Sequence, residues 1–281
     1  MESYLTNREG KRLFCRVEGS GPPLLLIHGA MVDADFFADA AKLLSAAFTV
    51  ISYDRRGYSR SERADSNTLQ AQADDAVDVL RGLTDGPATV VGCSLGAMIA
   101  MRLAAQYPHM VSALILHEPP LQCLPGALSP EEADEVRAVS LLVKQEKYRK
   151  ALLRFLLTVS SAEEESRPYP PEKQEVHMNN GLVFMAREFF SVFLADSGAC
   201  GIPELSGRKN IYCLRGTSSA SRYAGRAATA LARQIGGELL YVPGGHNAAR
   251  DLPAEFAAAI AGLWLLNEKT NAQQDGRKIN L

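Results

Sequence analysis

The sequence lacks an excess of charge of either sign, and it lacks an apolar run long enough to span a membrane. It carries 30 basic and 32 acidic side chains, which gives a net charge of −2. A nearly neutral chain has no strong field to attract nucleic acid or an anionic lipid surface. The longest late apolar run, residues 256–266, is too short to cross a bilayer and predicts a packed helix. We therefore expect a small-molecule partner, with no nucleic acid and no membrane, and the sequence leaves the oligomeric state open.

The sequence also lacks a cysteine pattern of the kind that builds disulfide frameworks or zinc sites. It has five cysteines, an odd number, and they show neither a Cys-x-x-Cys motif nor Cys/His ligand spacing. Free thiols suit a reducing compartment. Residues 1–9 are polar and lack the apolar core of a signal peptide, so the cytoplasm is the expected location. The cysteines are Cys15, Cys93, Cys123, Cys200 and Cys213.

Short apolar strand patterns alternate with helical patterns along most of the chain. The 281 residues, of which 47% are apolar, suffice for one large domain with an insertion. Residues 3–17 alternate across a turn and predict a β-hairpin at the edge of a sheet. The alternation of strands and helices that follows predicts an α/β fold, with a mostly parallel central sheet and helices on both faces.

The strand patterns stop for a long central segment, which is charged and helical in character. Helices are predicted there near residues 129–145, 146–158 and 172–195. Aromatic residues at helical spacing more often form core than pocket, so none of them is assigned to substrate. The predicted organisation is a core domain (1–119 and 206–267), an inserted helical cap or lid (120–205) and a polar C-terminal tail (268–281).

One stretch, residues 89–97, joins a β-branched run to Gly92-Cys93-Ser94-Leu95-Gly96 and opens into an alanine-rich segment. The pattern predicts a strand, a sharp turn and a helix, with Ser94 at the strained tip of the turn. Glycine at both flanking positions removes Cβ atoms that would clash with the neighbouring helix and strand. Because successive strand residues point to opposite faces, Cys93 is expected to pack into the core while Ser94 faces the site.

These features together resemble the α/β-hydrolase superfamily. Residues 92–96 resemble its nucleophile elbow, and residues 24–30, Leu-Leu-Leu-Ile-His-Gly-Ala, resemble the strand and His-Gly turn beside the oxyanion. Residues 53–59 resemble the loop after the next strand, and residues 243–246 resemble the turn that carries the catalytic histidine. The resemblance implies an α/β-hydrolase fold with a serine nucleophile and an inserted helical cap, and it implies no metal or organic cofactor.

The resemblance further implies a catalytic triad, in the chain order serine, acid, histidine. A serine hydroxyl is a poor nucleophile and needs a histidine base that an acid holds in one tautomer. His246 is the only histidine on a glycine-rich turn directly after the last predicted strand, so Ser94 and His246 are predicted as nucleophile and base. Of the other histidines, His28 is expected to shape its turn through hydrogen bonds, and His177 is expected at the surface.

The acid departs from the commonest pattern of the superfamily. The loop after the penultimate strand, residues 215–221 around Ser219, contains no Asp or Glu. Some members carry the acid at the end of the strand after the elbow helix, which is the position of Glu118 here. Because that strand end and the histidine loop share the carboxyl edge of the sheet, Glu118 is predicted as the acid. The alternative is a carboxylate that caps a cap helix or pairs with an arginine, which would leave a Ser–His dyad.

The predicted activity is that of a carboxylesterase-like serine hydrolase. It would cleave an ester, thioester, lactone or related acyl bond, or an activated C–C bond, through an acyl-enzyme on Ser94. The template places the oxyanion against the backbone N–H groups of Leu95 and Ala30, with Met31 as the alternative donor if the turn is set one residue later. Two other functions stay open on the same fold: a cofactor-free haloperoxidase or perhydrolase, and a non-catalytic ligand-binding or sensor protein.

Overall fold

The computed structural model describes residues 1–159 and 168–275. Its centre is an eight-stranded sheet with the strand order β1-β2-β4-β3-β5-β6-β7-β8. The strands are β1 (Glu2–Thr6), β2 (Arg12–Glu18), β3 (Pro23–Ile27), β4 (Thr49–Tyr53), β5 (Ala88–Cys93), β6 (Val111–His117), β7 (Ile211–Gly216) and β8 (Glu238–Val242). Strands β1 and β2 form the predicted edge hairpin, β2 is antiparallel to β4, and all remaining neighbours are parallel. The predicted mostly parallel α/β sheet is therefore confirmed.

Helices cover both faces of this sheet. In chain order they are α1 (Ala38–Leu44), α2 (Leu69–Leu83), α3 (Leu95–Gln106), α4 (Pro130–Lys144), α5 (Tyr148–Val159), α6 (Pro171–Val183), α7 (Ile202–Leu205), α8 (Tyr223–Ile235), α9 (Ala248–Asp251) and α10 (Pro253–Asp275). Side chains of β3 alternate between the two faces, since Leu25 packs with α2 and α3 whereas Leu24 packs with α1 and α10. A strand that is buried on both faces reads as a continuous apolar run, which explains the pattern of residues 24–27.

The helical segment between β6 and β7 contains α4 and α5, and then α6, which continues as a π-helix over Phe184–Phe193. Helix α4 begins at a capping box, in which the Ser129 hydroxyl accepts from the N–H of Glu132 and the Glu132 carboxylate accepts from the N–H of Ser129. The helices predicted here are present close to their expected positions, and no strand occurs among the described residues of the segment. Residues 160–167 of the predicted cap lie outside the described residues.

The C-terminal helix is longer than predicted. It was expected to end at residue 266, but α10 runs to Asp275, and Asn267 at its middle is fully buried. Residues 267–275 are polar but contain neither Gly nor Pro, and polar residues such as Glu, Lys and Gln are good helix formers, so polarity by itself does not end the helix. The rest of the predicted tail, residues 276–281, lies outside the described residues. Within the described part of the chain, no helix has both the length and the apolar character needed to cross a membrane.

Candidate active site

Ser94 lies at the tip of a sharp turn between β5 and α3. Its backbone angles are φ 55° and ψ −125°, a strained region for a residue other than glycine. A Cβ atom at Gly92 would lie 2.4 Å from the carbonyl oxygen of Gly96, and one at Gly96 would lie 2.0 Å from that of Ile27. Only glycine permits β5, α3 and β3 to approach this closely, which is the physical reason for the Gly-x-Ser-x-Gly pattern.

Glu118 and His246 are joined by a direct hydrogen bond. Atom Nδ1 of His246 lies 2.8 Å from Oε2 of Glu118, and the backbone N–H of Gly216 donates to Oε1 at 2.8 Å. The Glu118 side chain is fully buried. Burial by itself would raise the pKa of this carboxyl. The hydrogen bond from His246, the electrostatic effect of His117 and His246, and the hydrogen bond from the Gly216 N–H outweigh burial and lower the pKa to about 2. The carboxylate is thus ionised and holds the proton of His246 on Nδ1, which leaves Nε2 as the basic nitrogen.

The turn that carries His246 packs closely against the end of β7. A Cβ atom at Gly216 would lie 2.6 Å from the carbonyl oxygen of Gly244, and Gly244 itself has φ +91°. This contact brings the histidine turn to the strand end whose N–H binds Glu118. The structure therefore joins β6, β7 and the loop after β8 at one edge of the sheet.

Ser94, Glu118 and His246 line one cavity of about 310 Å³. Ala30, Met31 and Leu95, the three residues considered as oxyanion donors, line the same cavity. Gly29 also lines it and lies directly against the serine, since a Cβ atom at Gly29 would be 2.9 Å from the Cβ of Ser94. The sequence-predicted site residues are thus brought together at the carboxyl ends of the parallel strands, where α/β folds bind ligands.

The helical segment supplies an apolar wall of this cavity. Three aromatic residues of the segment line it and pack edge to face, with ring centroids 5.2–5.8 Å apart: Phe155, Phe184 and Phe193. Val136 and Val139 of α4 extend the wall. The sequence left these aromatic residues unassigned because helical spacing alone cannot distinguish a pocket wall from core.

This chain is similar in sequence to known proteins. Residues 22–199 match the family described as the alpha/beta hydrolase fold. The chain belongs to the α/β-hydrolase family. It is 30% identical over 256 residues to the uncharacterised hydrolase YraK of Bacillus subtilis strain 168, and the match covers 89% of this chain and 92% of that protein.

Solved structures resemble the fold of this α/β hydrolase over almost its whole length. A thermophilic esterase from Thermogutta terrifontis superposes with a TM-score of 0.71 at 24% identity, covering 94% of this chain and 98% of that chain. An enol-lactonase from Burkholderia xenovorans LB400 superposes with a TM-score of 0.71 at 20% identity, covering 94% and 100%. At such identities the likeness shows the shared fold.

Sequence reasoning missed a buried polar network beside the site of this α/β hydrolase. The Arg55 guanidinium, 1% exposed, forms an ion pair of 2.8 Å with the fully buried carboxylate of Glu188 on the π-helix. Arg55 also donates to the carbonyl oxygen of Gly29 at 2.8 Å. Its backbone N–H donates to Nε2 of His28 at 3.0 Å, so His28 shapes the turn through hydrogen bonds as expected. The signal in the sequence was that Arg55 lies within residues 53–59, the stretch that resembles a loop of the α/β-hydrolase superfamily.

His177, expected at the surface, is half-buried and lines the cavity. Its ring stacks on Tyr169 with centroids 4.4 Å apart and lines the cavity, and Nδ1 is buried with no hydrogen-bond partner among the described residues. Burial, together with the nearby Arg250 guanidinium, lowers the pKa of His177 to about 4. Val176 and Met178 flank His177 in the sequence, and the docking of α6 over the cavity half-buries this ring.

Cys93 packs as expected from strand alternation. It is 2% exposed and belongs to the core on the α1 and α10 face of the sheet. Burial raises the pKa of the Cys93 thiol well above its usual value. Because the thiolate is the nucleophilic form of cysteine, Cys93 is not suited to replace the serine beside it.

Proposed function

We propose that this α/β hydrolase is a carboxylesterase-like serine hydrolase, in which Ser94 is the nucleophile, His246 the general base and Glu118 the orienting acid. It would cleave an ester, thioester, lactone or related acyl bond, or an activated C–C bond, of a small molecule. The observation that carries the proposal is the hydrogen bond between the buried carboxylate of Glu118 and Nδ1 of His246. A carboxylate so placed fixes the tautomer that a serine nucleophile requires and stabilises the imidazolium that forms.

The proposed reaction has two acyl-transfer steps. His246 takes the proton of Ser94 as the hydroxyl attacks the carbonyl carbon, and it then returns that proton to the leaving group. Water activated by His246 next releases the acyl-enzyme. In both steps the backbone N–H groups of Leu95 and Ala30 would donate to the oxyanion, where removal of one donor typically costs about 3 kcal/mol of transition-state stabilisation.

The cavity favours a neutral substrate with an apolar portion. Several charged side chains on its wall are each engaged in an ion pair, and the helical segment adds an aromatic surface. The pairs are Glu132 with Arg226, Glu135 with Arg154, and Arg250 with Asp251. We propose that the helical segment serves as the cap that selects the substrate. The esterase and the enol-lactonase that share this fold act on substrates of the proposed bond types.

A fluorophosphonate probe tests the proposal, because it reacts only with an activated nucleophile. Labelling is expected for the wild type and expected to disappear in Ser94→Ala and His246→Ala. Cys93→Ala is the matched control, since it removes the adjacent nucleophile and is expected to retain labelling. A folded wild type that takes up no probe and hydrolyses no aryl ester, yet binds small apolar ligands, would instead favour the ligand-binding or sensor function.

A further inference from the structure

The Arg55–Glu188 pair is the centre of a buried hydrogen-bonded network, in which Nε of Arg55 has no partner among the described residues. Both carboxylate oxygens of Glu188 accept hydrogen bonds: Oε1 accepts from Arg55 and from Nε2 of Gln72, each at 2.8 Å, and Oε2 accepts from the hydroxyl of Tyr58 at 2.7 Å. Arg55 also donates to Oε1 of Gln72 at 2.6 Å and lies over the Tyr58 ring at 4.3 Å. A buried ion pair whose carboxylate oxygens both accept hydrogen bonds is held in a defined geometry. The pair joins the loop after β4 to the π-helix of the helical segment.

A second nitrogen of the Arg55 guanidinium binds the His28-Gly29 turn. It donates to the carbonyl oxygen of Gly29 at 2.8 Å, and Nδ1 of His28 lies 2.9 Å from the same oxygen. Because Nε2 of His28 accepts from the backbone N–H of Arg55, the His28 proton resides on Nδ1, which donates to Gly29. Burial, together with the Arg55 charge, lowers the pKa of His28 well below its usual value, so the ring is neutral. The Gly29 carbonyl is thus held by two donors on one side of the turn.

The carbonyl of Gly29 and the N–H of Ala30 belong to the same peptide group. That group is trans, since the chain has no cis peptide among its described residues, and a trans peptide points its C=O and N–H in opposite directions. Two donors that fix the carbonyl therefore also fix the direction of the Ala30 N–H. We propose that Arg55, anchored by Glu188, is a positioning residue that turns the Gly29–Ala30 peptide so that the Ala30 N–H faces the oxyanion beside Ser94.

Glu188 also links this hydrogen-bond network to the cavity wall. It is carried by the same π-helix whose Phe184 and Phe193 line the cavity. Docking of the helical segment therefore supplies the counter-charge that holds Arg55, and Arg55 holds the oxyanion donor. The orientation of the Ala30 N–H therefore depends on how the helical segment packs against the rest of the cavity. The catalytic part of this inference rests on the function proposed above.

A double variant separates positioning from folding. Arg55→Met alone would leave the Glu188 carboxylate buried without its cation, which is strongly destabilising. In Arg55→Met/Glu188→Gln no charge remains, and the new amide can still pair with Gln72 and Tyr58, so a folded protein is expected. The matched control is Arg187→Met, the same change at an exposed arginine of the same π-helix. Each protein would be crystallised and assayed on p-nitrophenyl esters, with kcat and KM measured separately.

The double variant is expected to lose about 10- to 100-fold in kcat with KM within about threefold, because the donor acts chiefly in the transition state. Arg187→Met is expected to stay within about threefold in kcat. In the crystals the Gly29–Ala30 peptide should turn or become heterogeneous in the double variant only. An unchanged peptide in the folded double variant, or a turned peptide with wild-type kcat, would overturn the inference. An inactive wild type would defeat the proposed function alone, since the peptide orientation is read without substrate.

Discussion

At the scale of single residues, Ser94 and Glu118 share an uncommon backbone. Both have positive φ, 55° and 48°, and each directly follows one of two adjacent parallel strands, β5 and β6. The N–H of Ser94 donates to the carbonyl oxygen of His117 at 2.9 Å, so the two strand ends are tied together. A strained backbone persists only where the surrounding contacts hold it in place, and strained residues are concentrated at functional sites. Here the strain turns both side chains off the sheet edge and toward the cavity.

Glu118→Gln is expected to lower kcat by about 10³–10⁴, with little change in KM. Gly216 and His246 bind different oxygens of Glu118, and glutamine replaces one of these oxygens with an NH2 group, so the amide either repels one N–H or holds the wrong histidine tautomer. Initial rates of aryl-ester hydrolysis on the folded variant check this expectation. Glu255→Gln, at an exposed carboxylate, is the control. Near-normal turnover in folded Glu118→Gln would show that a dyad suffices and would refute the acid assignment.

At the scale of elements, the π-helix at Phe184–Phe193 decides which side chains reach the site. Its N–H to C=O bonds span five residues, as in the bond of 3.1 Å from Leu194 to Phe189. π-helical turns are rare and recur at functional sites. This one directs Phe184 and Phe193 to the cavity and Glu188 to Arg55, while Phe190 is 44% exposed. One element thus forms part of the cavity wall and anchors the polar network.

Phe193→Leu is expected to raise KM for aromatic esters several-fold and to destabilise the protein by about 1–2 kcal/mol, because it removes ring contacts with Phe155 and Phe184. Phe190→Leu, the same change on the exposed side of the same π-helix, should alter neither quantity. Michaelis–Menten kinetics over a series of ester acyl groups and urea unfolding measure the two effects. Equal KM profiles for the two variants would remove Phe193 from the substrate-binding wall.

At the scale of the whole molecule, the sheet separates two apolar cores, one on each face. Ionisable side chains are buried where these cores meet the candidate active site. His117 at the end of β6 is fully buried, and neither of its ring nitrogens has a hydrogen-bond partner among the described residues. It stacks with His246 at a centroid distance of 6.2 Å, contacts Phe256 edge-on at 5.7 Å, and adjoins Glu118. Burial, reinforced by His246 and opposed by Glu118, lowers the pKa of His117 to about 4. Its protonation is therefore coupled to unfolding.

The free energy of unfolding should fall as the pH drops from about 6.5 toward 4. An unfolded histidine has a pKa of about 6.5, so in this window the unfolded chain binds a proton that folded His117 does not. The contribution of neutral His117 is fully present above about pH 6.5, and it amounts to on the order of 3 kcal/mol. In His117→Phe the pH slope should be shallower, with His177 supplying part of the remainder.

Urea unfolding at pH 7.5, 6 and 4.5 measures this slope. His109→Gln, at an exposed position, is the control and should follow the wild type. Parallel curves for wild type and His117→Phe would exclude His117 as a source of the acid sensitivity. Loss of stability at lower pH belongs to carboxylates, among them Glu118 and Asp35, whose pKa values both lie at about 2 in the folded state.

The sequence by itself determined the features that depend on local spacing. The edge hairpin, the parallel sheet and the glycines around Ser94 follow from periodicity and from the space that a Cβ atom would need. Glu118 and His246 could be placed at one edge because parallel strands end together. Their hydrogen bond agrees with that placement.

Only the tertiary structure decided the contacts made across long stretches of chain. Arg55 and Glu188 are 133 residues apart, and no local pattern relates them. The burial of His177 depends on how α6 docks, and the cavity wall depends on which face of the π-helix turns inward. Helical spacing shows that a face is apolar, but it cannot show what that face meets. That choice is made by packing between elements, whose energy depends on partners that local sequence does not specify.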